Sequence, residues 1–98
     1  MTVTNEELCI SVLDNICREN FDHDEYSLNG QKESAVCLEK TSIGWSVYES
    51  ERNSRNDSYL FDNVIEAGLD LLKRLCDTVD YKTLKNCFFD GIVTQKIA

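Results

Sequence analysis

The sequence predicts one α+β domain over residues 1–98: an N-terminal helix, a three- to four-stranded antiparallel β-meander, then two C-terminal helices packed on one sheet face. Three observations carry this expectation. Apolar residues recur every three or four positions towards both ends of the chain, they alternate every second position through its middle, and 98 residues leave room for a single core. There is no proline, internal repeat or low-complexity segment to mark a linker.

The first helix opens at Thr4-Asn5-Glu6-Glu7, where a Thr and a Glu three residues apart can satisfy each other's orphan backbone amides. Cys9, Val12, Leu13, Ile16 and Cys17 then form one apolar stripe of helical period. The helix should end near Asn20, because Asp22-His23-Asp24-Glu25 has no period and crowds three carboxylates into a loop. A short strand is expected from Tyr26, turned by Asn29-Gly30, a dipeptide suited to a tight hairpin. Ser34–Glu39, Trp45–Glu51 and Ser58–Phe61 are the remaining strand candidates, with polar turns at 41–44 and 52–57. In the third strand Trp45 and Val47 share what should be the inner face, and Ser46, Tyr48 and Ser50 share the other.

Asn63 is placed to cap the next helix, with Glu66 three residues on and Ile65, Leu69, Leu72, Cys76 and Val79 along its stripe. Val64, Leu71 and Leu75 widen that stripe. Gly68, in the helix interior, costs about 1 kcal/mol relative to alanine and suits a close approach to another backbone. A shorter helix from Asp80 carries Tyr81, Leu84, Cys87 and Phe88 and is expected to stop at Gly91, leaving 92–98 unassigned.

Eighteen acidic against ten basic residues leave a formal charge of −8, which argues against direct nucleic-acid binding and for a cationic protein partner. Five cysteines at irregular spacing fit neither a disulfide framework nor a zinc set, so all five are expected to pack as small apolar residues in a reducing, cytoplasmic setting. The chain start lacks the basic and apolar runs of a secretory signal, and no segment has membrane-spanning length.

Candidate chemistry is sparse. A calcium loop counted from Asp22 would have Tyr26 at an oxygen-ligand position and Ser27 where glycine is required. Glu49 and Glu51 project from one side of a strand about 7 Å apart, a carboxylate spacing that glycosidases use but that a solvated hairpin also gives. No nucleophile elbow, phosphate-cradling loop or Cys-His pair is present, so neither catalysis nor a cofactor is expected. The polar residues are better suited to binding: Asp22, Asp24 and Glu25 in the first loop, and Glu49, Glu51, Arg52, Arg55 and Asp57 around the hairpin.

The segment Gly44-Trp45-Ser46-Val47-Tyr48-Glu49-Ser50-Glu51-Arg52-Asn53, followed by Arg55, Phe61 and a helix containing Glu66-Ala67, resembles small bacterial immunity proteins of polymorphic-toxin and contact-dependent growth inhibition systems. Asn53 stands where glycine commonly follows the Glu-Arg pair, and asparagine also tolerates a left-handed turn. The resemblance implies a non-catalytic protein that binds the C-terminal domain of a cognate toxin and blocks its active site in the producer's cytosol. Nuclease toxins need basic surfaces to hold phosphate, and an acidic inhibitor complements them. The alternative is an acidic DNA mimic that occupies the nucleic-acid site of a defence protein, which would array carboxylates over an extended surface.

Overall fold

The computed structural model describes residues 5–52, 54–76 and 80–97. The elements run α1 (Asn5–Asn20), β1 (Tyr26–Ser27), β2 (Val36–Thr41), β3 (Gly44–Glu51), β4 (Ser54–Phe61), α2 (Val64–Leu75) and α3 (Tyr81–Ile97). Helix–sheet–helix order follows the expected α+β plan. The capping Thr4, the turn residue Asn53 and the helix-stripe residue Val79 lie outside the described residues.

α1 forms on its apolar stripe, and Cys9, Val12, Leu13, Ile16 and Cys17 are all buried. Its last turn closes as the Asn20 side-chain amide donates to the Ile16 carbonyl at 2.8 Å. α2 starts where Asn63 Oδ1 accepts the Glu66 N–H at 2.9 Å, satisfying one orphan donor as the capping pattern predicts. Val64, Leu71 and Leu72 are buried as the stripe predicts, but Ala67 and Gly68 complete the buried face, and Ile65, Leu69, Leu75 and Cys76 are only partly buried at its margin. The two small residues bring α2 close to its neighbours. A Cβ on Gly68 would stand 3.1 Å from the Phe88 ring, so its absence lets α2 and α3 approach.

The sheet order is β1-β2-β3-β4, and the expectation of a purely antiparallel meander needs correction. β2–β3 and β3–β4 are antiparallel, whereas β1 pairs in parallel with β2 through Tyr26↔Val36 and Ser27↔Cys37. Asn29-Gly30 therefore does not form a two-residue hairpin. Gly30 instead donates its N–H to the Leu38 carbonyl, and the chain returns through 31–35 before Val36 donates to the Glu25 carbonyl. The 52–57 turn is corrected too: Ser54–Asp57 belong to β4, which runs eight residues. Hydrophobic alternation could not reveal this half of β4, because Ser54–Leu60 are all exposed on an edge strand held by backbone pairing with β3 and by polar side-chain contacts.

Gly91 does not stop α3. The helix continues to Ile97, and a Cβ at Gly91 would come within 2.5 Å of Val12 Cγ1. Glycine here permits close packing of α3 on α1, and that contact outweighs its low helix propensity. α3 makes its principal contacts with α1 and then α2, while α2 touches β2, β3 and β4. The main core joins Leu38, Trp45 and Val47 of the sheet to the buried faces of the three helices, including Leu84 and Phe88 of α3.

Candidate functional site

Glu49 and Glu51 end β3 on the same side of the strand, as their two-residue spacing requires. The antiparallel register sets Glu49 opposite Asn56 and Glu51 opposite Ser54, and an irregularity then shifts the pairing before Val47 meets Tyr59. Asp57 sits in that irregularity with φ 51, a left-handed conformation that aspartate tolerates better than most residues. The loop before β1 brings in Glu25. These four carboxylates line one cleft of about 580 Å³, together with Arg74 and Leu75 from the end of α2.

Arg74 organises the cleft. Its Nε holds Asp70 Oδ2 at 2.9 Å one helical turn away, its Nη1 lies 3.5 Å from Glu49 Oε2, and its Nη2 donates to the Asp57 carbonyl. The guanidinium also lies 5.8 Å from the centre of the Tyr59 ring. One guanidinium thus ties α2 to both strands of the hairpin. Its side chain is only 12% exposed, and Nη1 is buried without a hydrogen-bond partner among the described residues. Among the described residues, four carboxylates against one cation give the cleft a negative field suited to lysine or arginine side chains.

The predicted binding residues thus divide. Glu25, Glu49, Glu51 and Asp57 converge; Asp22, Asp24, Arg52 and Arg55 do not line the cleft. Asp22 donates its N–H to Glu25 Oε2 at 3.0 Å, closing the loop as a turn. Asp24 faces His23 at 3.3 Å and Lys32 at 3.8 Å, all at exposed positions or nearly so. Arg52 turns the hairpin with φ 52, and its N–H meets a Glu33 carboxylate oxygen. Arg55 lies on the opposite sheet face, where Nη2 reaches Glu39 Oε1 at 3.2 Å and the guanidinium covers the Tyr48 ring at 4.7 Å.

That opposite face holds a polar assembly that periodicity did not reveal. Tyr48 is fully buried and donates its hydroxyl to Glu39 Oε1 at 2.9 Å. Burial first, and then the Glu39 hydrogen bond and charge, push the Tyr48 phenol up to about 12. Residues 31–35 supply the cover: Gln31 donates to Ser50 Oγ at 3.2 Å, and the Lys32 N–H reaches Cys37 Sγ at 3.4 Å. Ala35, Cys37 and Tyr48 form a second small core there. The signal that could have found Arg74 is the Asp70–Arg74 spacing of one helical turn; nothing local flags Glu39 as the partner of Tyr48.

Cys9, Cys17 and Cys37 pack as predicted, but Cys76 is half-buried and Cys87 is exposed, which corrects the expectation that all five are core residues. Cys87 shares α3 with the buried Leu84 and Phe88 but is itself exposed. Among the described residues, no group of three His, Cys, Asp or Glu side chains is placed to hold a metal ion, and no helix is long and apolar enough to cross a membrane. Comparison with known proteins returns no match to a family model, a curated protein or a solved structure, so the residues and their geometry carry the functional reading.

Proposed function

We propose that this chain is an immunity protein that binds a cognate toxin domain and neutralises it without catalysis, covering a basic active-site or substrate surface such as a nuclease requires. The supporting observation is the cleft in which Glu25, from the loop before β1, meets Glu49, Glu51 and Asp57 of the β3–β4 hairpin, which lies far along the sequence. Charge attracts a basic partner and raises the rate of encounter, while desolvated pairs within the cleft hold it. Arg74 contributes by positioning: it holds Glu49 and the Asp57 backbone in place, so partner cations meet carboxylates already set in position. Glu25 and the hairpin are the contact residues in this reading. Arg52 and Arg55 lie outside the cleft, and the segment that resembles immunity proteins supplies Glu49 and Glu51 directly.

The test is co-expression with the toxin domain encoded beside this chain's gene, followed by affinity measurement on the purified pair. The unaltered chain should protect cells. The charge reversal Glu49→Lys/Glu51→Lys/Asp57→Lys, checked for an unchanged melting profile, should weaken binding by about 100-fold or more. Loss of protection in the unaltered chain, or equal affinity in the reversed one, overturns the proposal.

A further inference from the structure

At the other end of β3 lies a second groove, of about 650 Å³, between the first half of α1 and the segment after β1. Its lining includes half-buried Ile10 and Leu28 and the edge of Trp45 that stays accessible, 8% of that otherwise buried residue, as apolar surface, and Glu6, Glu7 and Asp14 on the α1 side. An adjoining hollow of about 520 Å³ shares Ile10, Leu28 and Trp45 and extends the depression towards Gly30 and Glu39. Trp45 and Glu49 are four residues apart, about 14 Å along the strand, so the groove and the acidic cleft are separate sites.

The groove already shows what it can hold. Lys40 Nζ sits 2.8 Å from Glu6 Oε2 and 5.6 Å from the centre of the Trp45 ring. An ammonium on an apolar stem, between an aromatic ring and a carboxylate, is the contact that a lysine from another protein would make. Lys40 holds the position weakly, because its side chain is 63% exposed and exposed ion pairs exchange readily with water. Asp14 is paired at 3.1 Å with Arg18, also largely exposed.

We propose that this groove receives a basic amphipathic segment of a partner protein. One large apolar side chain would rest on Ile10, Leu28 and Trp45, and flanking lysines or arginines would replace Lys40 at Glu6 and pair along the α1 carboxylates. The occupant follows from complementarity: an apolar floor, an acidic wall and a net charge of −8 favour apolar residues interleaved with cations. The inference rests on the proposed preference for a basic partner and adds a second docking surface to it.

Trp45 is the only tryptophan in the chain, so its emission reports on this groove. The probe is a short, tryptophan-free leucine/lysine amphipathic peptide with a fluorescent label, followed by label anisotropy for total binding and by Trp45 emission for the groove. Binding should change Trp45 emission saturably. Ile10→Lys should weaken that response about tenfold by placing a charge on the floor. Lys40→Ala, at an exposed position, should strengthen it about threefold by removing the internal competitor. Glu49→Lys/Glu51→Lys should leave the Trp45 response in place. Anisotropy binding that leaves Trp45 emission unaltered, with Ile10→Lys and Lys40→Ala matching the parent, overturns the groove proposal and leaves the basic-partner reading standing. Absence of binding by either signal counts against both.

Discussion

On the inner face of β3, Trp45 and Val47 are buried in a continuous apolar cluster with α1, α2 and α3; one residue further along, Tyr48 is buried just as fully on the outer face, under a loop and beside charged groups. The inner face is held by shape and by exclusion of water, with Phe88 and Leu13 filling the space that Gly68 leaves open. The outer face is held by matching each polar atom: Tyr48 to Glu39, Glu39 to Arg55, Gln31 to Ser50. Burial alone therefore does not distinguish the two. An apolar face tolerates little loss of volume, whereas a polar face tolerates volume changes better than loss of a partner.

The inner face should show the largest response. Phe88→Ala removes a fully buried ring at the meeting of α1, α2 and α3 and should cost about 3–5 kcal/mol, read as a lowered denaturation midpoint in urea. A loss below about 1 kcal/mol would mean the helical layer is loosely packed and the contrast with the outer face is unsound. Gly91→Ala sharpens the same point. Alanine has the better helix propensity by about 1 kcal/mol, yet its Cβ would meet Val12 Cγ1 at 2.5 Å, so the substitution should destabilise by about 1–3 kcal/mol. Combining it with Val12→Ala should relieve the overlap, leaving a double variant less destabilised than the two single effects add up to.

The outer face should respond least at neutral pH and most distinctly in alkali. Tyr48→Phe keeps the ring and deletes the hydroxyl, so it should cost about 1 kcal/mol at pH 7. In the unfolded chain a phenol ionises near 10, whereas burial and Glu39 hold the folded Tyr48 proton until about 12. The folded state thus retains a proton that the unfolded state releases; this contribution is intact below pH 10 and is lost as pH rises towards 12, by up to about 2–3 kcal/mol. Burial, followed by Asp14, likewise pushes the Cys17 thiol from 9.0 to about 12, so alkaline loss of stability begins earlier, near pH 9. Urea unfolding across pH 8–12 should therefore show a smaller alkaline decline in Tyr48→Phe than in the parent. Parallel declines would mean that the Tyr48 phenol titrates as it does in the unfolded chain.

Half of the acidic site could be read along the chain, because a two-residue spacing on a strand places Glu49 and Glu51 side by side wherever the strand goes. Glu25 and Asp57 were also candidates, but so were Asp22, Asp24, Arg52 and Arg55, and composition gives no means of separating the groups. The tertiary contacts separate them: Arg55 pairs with Glu39 on the opposite sheet face, while Asp22 and Asp24 make contacts within and beside their own loop. In sequence the Asp70–Arg74 spacing reads as a surface pair, and only contact with β3 and β4 makes Arg74 a buried part of the site.

Periodicity and capping determined the existence and faces of α1, the start of α2 at Asn63, and the strand identity of β2 and β3, since each depends on residues within a few positions of one another. Tertiary contact decided the parallel pairing of β1, the full length of β4, the passage of α3 through Gly91 and the burial of Tyr48. In each of these the deciding neighbour comes from another element: Val36 for Tyr26, β3 for Ser54–Asp57, Val12 for Gly91, and the 31–35 loop for Tyr48. Local preference sets what a segment can become, and the free energy of contact with a distant segment selects among those states.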